Sequence, residues 1–147
     1  MCCQREDGVT MLAELQATPA DTTVPHLTEE EARASARAVV NLFDRWVLTD
    51  DQACELLGGL APRTWARWKK GDVGRVERDR ATRLSLLLGI HKGLRYMFGT
   101  DLPRVYAWIK APNATFGGAS ALDVMMGGRM TDLARVRRYL NAERSGR

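Results

Sequence analysis

The chain has little from which a covalent or metal-held scaffold could be built. Its three cysteines, an odd number, and two histidines provide neither a disulfide framework nor the ligand spacing of a zinc site. Cys2 and Cys3 stand in a polar leading segment and Cys54 in an apolar helical pattern, a distribution that points to a reduced, cytoplasmic setting. No apolar run approaches the roughly 20 residues that span a bilayer, so no membrane partner is expected. The leading MCCQREDGVTMLAELQATPADTTVPH has no basic start followed by an apolar stretch and does not read as a secretory signal. Period-two alternation is missing as well, and Val, Ile and Thr nowhere gather into a strand-like run. That excludes a β fold and leaves an all-α chain.

Chemistry is scarce too. Neither His26, in the leading segment, nor His91, inside an apolar helix, has a Ser or Cys partner in a recognisable nucleophile motif. The carboxylates fall mostly at helix caps or beside arginines, where a solvated face would put them. No catalytic residue, cofactor or metal is expected, and the chain does not read as an enzyme.

What is present is an ordinary core and an uneven charge. At 147 residues and 45% apolar, the chain makes one compact domain or two very small ones sharing a core. Residues 1–31 carry one Arg against seven acids, while the other 116 carry a net +10. A basic body invites an anionic partner, nucleic acid or an acidic protein surface, although solubility alone would also account for it.

Residues 1–27 mix Thr, Pro, Asp and Ala without a sustained period and read as a disordered tail, with Met11, Leu12 and Leu15 making at most one helical turn. Thr28 with Glu31 is a capping box. Beyond it, Ala32, Ala36, Val39, Val40, Phe43, Trp46 and Val47 recur at helical spacing, predicting one long amphipathic helix. A second box, Thr49 with Gln52, opens a short helix that ends at Gly58-Gly59, and Pro62 starts another that stops at Gly71. The pair reads as a helix-turn-helix, and 28–83 as its domain with a leading helix. Its turn, GGLAPRT, carries a glycine more than is usual.

In a DNA-reading version the second helix lies in the major groove and aims basic and hydroxyl side chains at phosphates and base edges. Arg63, Arg67 and Lys70 share one face of that helix, with Thr64 and Lys69 as further DNA-binding candidates, while Trp65 and Trp68 face the core. Residues 61–83 hold eight bases (Arg63, Arg67, Lys69, Lys70, Arg75, Arg78, Arg80 and Arg83) against three acids. Whether the motif reads operator DNA or serves as a scaffold or dimer surface stays open at this point.

Farther on, ERDRATRLSLLLGIHKGLRYMFG suits a central helix through Leu84, Leu87, Leu88, Leu94 and Met97, and LPRVYAWIK a short one with Val105, Trp108 and Ile109 inward. PNATFGGASALDVMMGG follows. It lacks the lysine of a phosphate-binding loop, and its Asn-Ala-Thr sequon is a chance match in a chain without a secretory signal. Ser120 and Asp123 cap a short helix there, whose Leu122, Met125 and Met126 either pack internally with Phe116 or form an adaptable docking surface. In the last helix Leu133, Val136 and Leu140 face a core, with Arg135, Arg137 and Arg138 wet.

These later segments together resemble the toxin-binding domain of the Xre/MbcA/ParS antitoxins, above all in Trp108, Pro112-Asn113, Phe116-Gly117-Gly118, Leu122-Asp123, Met126, Gly128 and Val136–Leu140. ACELLGGLAPRTWARWKKG is similar to that family's helix-turn-helix, and the likeness covers about residues 28–145. The resemblance implies a ParS-like type II antitoxin with residues 84–147 as its toxin-binding domain. The implied partner is a RES-domain toxin, related to ADP-ribosyltransferases and acting on NAD, whose cleft the antitoxin covers. It also implies autoregulation of the operon and a homodimer within a hetero-oligomeric complex. Carried onto this chain, the neutralising surface comprises Asn113, Phe116, Leu122, Asp123 and Met126, with Arg129, Arg135, Arg138, Tyr139, Arg144 and Arg147 of the closing segment. The alternative is a stand-alone helix-turn-helix transcriptional regulator.

Overall fold

A computed structural model describes residues 26–146; residues 1–25 of the expected tail, with the Met11–Leu15 turn, and Arg147 lie outside them. Among the described residues there are seven α-helices and no strand, apart from an isolated antiparallel bridge between Pro112 and Ser120.

Helix α1 (Glu29–Arg45) starts where expected. Thr28 Oγ1 accepts from the Glu31 N–H (3.1 Å) and the Glu31 carboxylate accepts from the Thr28 N–H (2.8 Å), satisfying two of the free donors of the first turn. Ala32, Ala36, Val39, Leu42 and Phe43 are buried along one stripe. Trp46 ends that stripe, and Val47, expected to continue it, is 73% exposed at φ 56°. The helix ends at Arg45, two residues short of Val47, and after the buried Trp46 the chain turns Val47 outward. The left-handed region is a strained place for a β-branched side chain. Lys110 Nζ donates to the Val47 carbonyl (2.9 Å), holding the corner.

Helices α2 (Asp50–Leu56) and α3 (Pro62–Lys69) form the helix-turn-helix. The Thr49–Gln52 box caps α2. Gly58 and Gly59, both near φ +80°, adopt a backbone open mainly to glycine. Trp65 and Trp68 are buried as the spacing required, with Trp65 tilted against Phe43 at 5.8 Å between ring centres.

Helix α4 (Arg78–Phe98) is the axis of the molecule. It packs against α1 and against α7 (Met130–Ser145), so its apolar residues occupy more than one face. Leu84, Leu86, Leu87, Ile90 and Leu94 are all buried. Leu86 and Ile90 join the expected core residues, whereas Leu88 and Met97 are half-buried. The expected boundary after residue 83 falls inside α4, and a single apolar core runs from Ala36 to Leu140 through both halves. At Gly93 a Cβ would meet the Leu140 Cβ at 3.2 Å; the missing side chain lets α4 and α7 approach closely. Helix α5 (Leu102–Ala107) passes into 3₁₀ turns at Trp108–Lys110 and Ala114–Phe116, then α6 (Ala121–Met125) leads into α7.

Candidate functional site

The turn before α6 is built by its own polar groups. Asn113 Oδ1 accepts from the Thr115 N–H (2.9 Å), and the Asn113 carbonyl accepts from the Gly118 N–H (3.0 Å). Ser120 Oγ accepts from the Asp123 N–H and the Asp123 carboxylate accepts from the Ser120 N–H, both at 3.0 Å. The side chains of Asn113 and Asp123 are thus already engaged in shaping this segment. Leu122 and Met125 are buried in the core and Met126 is half-buried. For Leu122 and Met125 the internal-packing alternative is the one realised, because a five-residue helix lying on the α7 side has no second apolar face to spare.

A groove of about 670 Å³ opens between this turn and α7. Phe116, Arg129, Arg135, Arg138 and Tyr139, named from the sequence, line it together, along with Thr115, Thr131, Asp132 and Ala142. Tyr139 stacks on Trp108 (6.1 Å) and meets Phe116 edge-on (5.3 Å), a favoured arrangement for aromatic pairs. Phe116, buried in the core, presents little more than its rim. The Arg135 guanidinium lies 5.4 Å over the Phe116 ring. Asp132 accepts from Arg129 Nε (3.2 Å), Arg129 Nη2 (3.3 Å) and the Arg129 backbone N–H (3.2 Å). The Arg129 guanidinium, aided by that N–H, holds the Asp132 carboxyl below its ordinary range against the opposing pull of burial.

Two other arginines of α7 stand elsewhere. Arg144 stacks over the exposed ring of Tyr96 on α4 (4.7 Å) and does not line the groove. Arg137, expected to be wet, is half-buried and donates from Nη1 to the Ser85 carbonyl (3.3 Å). Gly89 leaves the space on α4 that the Arg137 guanidinium fills.

On the helix-turn-helix, Arg63, Arg67, Lys69 and Lys70 are exposed and Thr64 is half-buried. Arg67 Nε donates to Asp72 (3.0 Å), and Lys69 Nζ donates to both oxygens of Asp50 (3.0 Å). The Lys69 ammonium, then the Trp65 indole N–H (2.9 Å), keep the Asp50 carboxyl below its usual range. Across 49–72 these four bases face four acids, Asp50, Asp51, Glu55 and Asp72, so the motif itself is charge-balanced.

Two of the eight bases counted over 61–83 are structural rather than phosphate-facing. Arg80 Nε donates to the Leu57 carbonyl (3.1 Å). Arg83 is buried: Nε donates to Asp79 (3.2 Å), and Nη1 reaches the carbonyls of Gly128 (2.9 Å) and Leu56 (3.5 Å). It fastens the end of α2 to the entry of α7, where the groove begins. Sequence reasoning missed it, since Asp79 and Arg83 at helical i, i+4 spacing read as a solvated pair.

The His91 ring, half-buried, stacks on Tyr106 (5.9 Å), and burial followed by Arg95 pushes its pKa down. Burial, then Asp50, pushes the Cys54 thiol up. Among the described residues no three His, Cys, Asp or Glu side chains gather to hold a metal, and no helix is long and apolar enough to cross a membrane.

Comparison with known proteins divides the chain along α4. Residues 25–89 match the family described as the antitoxin Xre-like helix-turn-helix domain. Residues 93–146 match the antitoxin Xre/MbcA/ParS C-terminal toxin-binding domain. An uncharacterized protein of Sinorhizobium fredii, y4oB, is 40% identical over 128 residues, spanning 87% of this chain and 98% of its own length.

Proposed function

The chain belongs to the Xre/MbcA/ParS antitoxins, and from that premise we propose that it neutralises a RES-domain toxin, an NAD-consuming relative of ADP-ribosyltransferases, by seating the α6–α7 face over the toxin's active site. The observation that carries this reading is the groove, where the rim of Phe116, the Tyr139 ring and three arginines converge on helix α7 and the turn before α6. The antitoxin performs no chemistry of its own in this scheme; it works by occlusion, as a homodimer within a larger hetero-oligomer.

Co-expression with the RES-domain toxin is expected to restore growth, with the two chains co-eluting on gel filtration and α7 protected from hydrogen exchange in the complex. A toxin that stays free and active beside the folded chain would sink the proposal. Deleting α7 is not a usable test, because Leu133, Val136 and Leu140 are core residues.

Operon autoregulation through α3 is the companion proposal, supported by the exposed Arg63, Arg67 and Lys70. With charges balanced across 49–72, operator affinity rests on these few side chains, flanked by Arg75 and Arg78, rather than on a broad basic field. The triple variant R63A/R67A/K70A is expected to weaken operator binding and flatten its salt dependence by about one unit of slope for each phosphate no longer neutralised. Unchanged affinity and slope would remove α3 from the DNA interface and leave it as scaffold.

A further inference from the structure

The groove has a chemistry of its own, and it narrows what the partner must bring. Its lining contains three arginines and one acid. That acid, Asp132, is already engaged by three hydrogen bonds from Arg129. Arg135 and Arg138 form no hydrogen bond or ion pair among the described residues and are exposed on one side of α7. The groove therefore offers two guanidinium groups whose donors no local carboxylate occupies. Arg135 is also laid against the Phe116 ring, which aligns its planar fork before any partner arrives and reduces the freedom lost on binding.

Beside these charges lies apolar surface, the rim of Phe116 and the half-buried ring of Tyr139. A bare phosphate would use the charges and leave that surface wet. A carboxylate on a peptide can use both, through forked hydrogen bonds from arginine and burial of the side chain next to it.

We propose that the groove is the seat of an acidic segment of the toxin, an aspartate or glutamate held by Arg135 and Arg138 with a neighbouring apolar side chain laid on Phe116 and Tyr139. The inference rests on the antitoxin reading above and names the partner chemistry at that surface.

The test uses the full chain in complex with a catalytically inactive RES-domain toxin. The variant R138K places an amine in the groove, and a zero-length carbodiimide joins amines only to carboxylates that touch them. The expected product is an amide between position 138 and an Asp or Glu of the toxin, located by peptide mass spectrometry. In parallel, R135A/R138A is expected to raise the Kd roughly 10- to 100-fold, as for losing one or two charged hydrogen bonds, and to make it less salt-dependent, with an unchanged melting temperature. Coupling confined to Asp132, with R135A/R138A binding like the parent, overturns the groove assignment while leaving the antitoxin reading intact. Loss of operator DNA binding with toxin binding retained also overturns it and assigns the groove to phosphate. A parent chain that fails to bind the toxin at all sinks the antitoxin reading itself.

Discussion

Trp65→Ala is expected to remove about 3–5 kcal/mol of stability, the usual range for emptying a buried aromatic site. Trp65 is 4% exposed. Its ring packs on Phe43, which in turn stacks on Trp46 at 5.8 Å, so the substitution opens a cavity where α1 meets the helix-turn-helix. For a domain whose whole stability is about 5–15 kcal/mol, such a loss leaves a large fraction unfolded at modest temperature. Urea denaturation followed by helical circular dichroism measures it. Trp65→Phe separates the two contributions: it keeps an aromatic ring and removes the indole N–H from Asp50, so a much smaller loss than for Trp65→Ala is expected. In that variant the Asp50 carboxyl should titrate closer to its ordinary range, though still held down by Lys69. A loss under about 1 kcal/mol for Trp65→Ala, well below the usual range, would mean that the α1–α3 junction contributes little to the folded state.

Arg83→Met is the second large effect, expected at about 2–3 kcal/mol because the Gly128 and Leu56 carbonyls lose a buried donor. Asp79, 69% exposed, remains solvated and adds little. For a chain of this size the melting temperature should fall by roughly 5–10 °C. The location of the damage is as informative as its size. Gly58 sits against the Arg83 guanidinium and Gly128 against Glu55, so hydrogen exchange should accelerate near residues 56–60 and 127–132 before it does along α4. Arg83→Lys should recover only part of the loss, since one ammonium cannot reproduce the planar fork. An unchanged melting temperature would show that water takes over both carbonyls.

The helix starts were legible because caps are local. Thr28–Glu31, Thr49–Gln52 and Ser120–Asp123 each join residues three apart, within reach of any reading of the chain. The stripe of α1 and the inward Trp65 and Trp68 were legible through periodicity. Val47 was misplaced because the period says which residues share a face and not where the helix stops. Leu86 and Ile90 were passed over for a related reason: α4 is covered by both α1 and α7, so its apolar residues do not keep to one stripe.

Arginines were the hardest residues to place. Nothing in the sequence distinguishes Arg83, buried among carbonyls, from Arg63, exposed on α3. Nor does it separate Arg137, lying across Gly89, from Arg138 beside it in the groove wall. A long side chain takes its role from whatever stands at the far end of its reach, and for Arg83 and Arg137 that lies tens of residues away in sequence.

By itself, then, the sequence determined the all-α class, the capped starts, the helix-turn-helix and the family signature around Phe116-Gly117-Gly118, because each rests on patterns spanning a few residues. Only the tertiary structure decided that the two halves share one core along α4, that Leu122 and Met125 pack inward, and that Phe116, Arg129, Arg135, Arg138 and Tyr139 line one groove while Arg144 does not. Those outcomes follow from how closely α4 and α7 approach at Gly93 and from which acids stand near which arginines, distances that become defined only when the chain has folded.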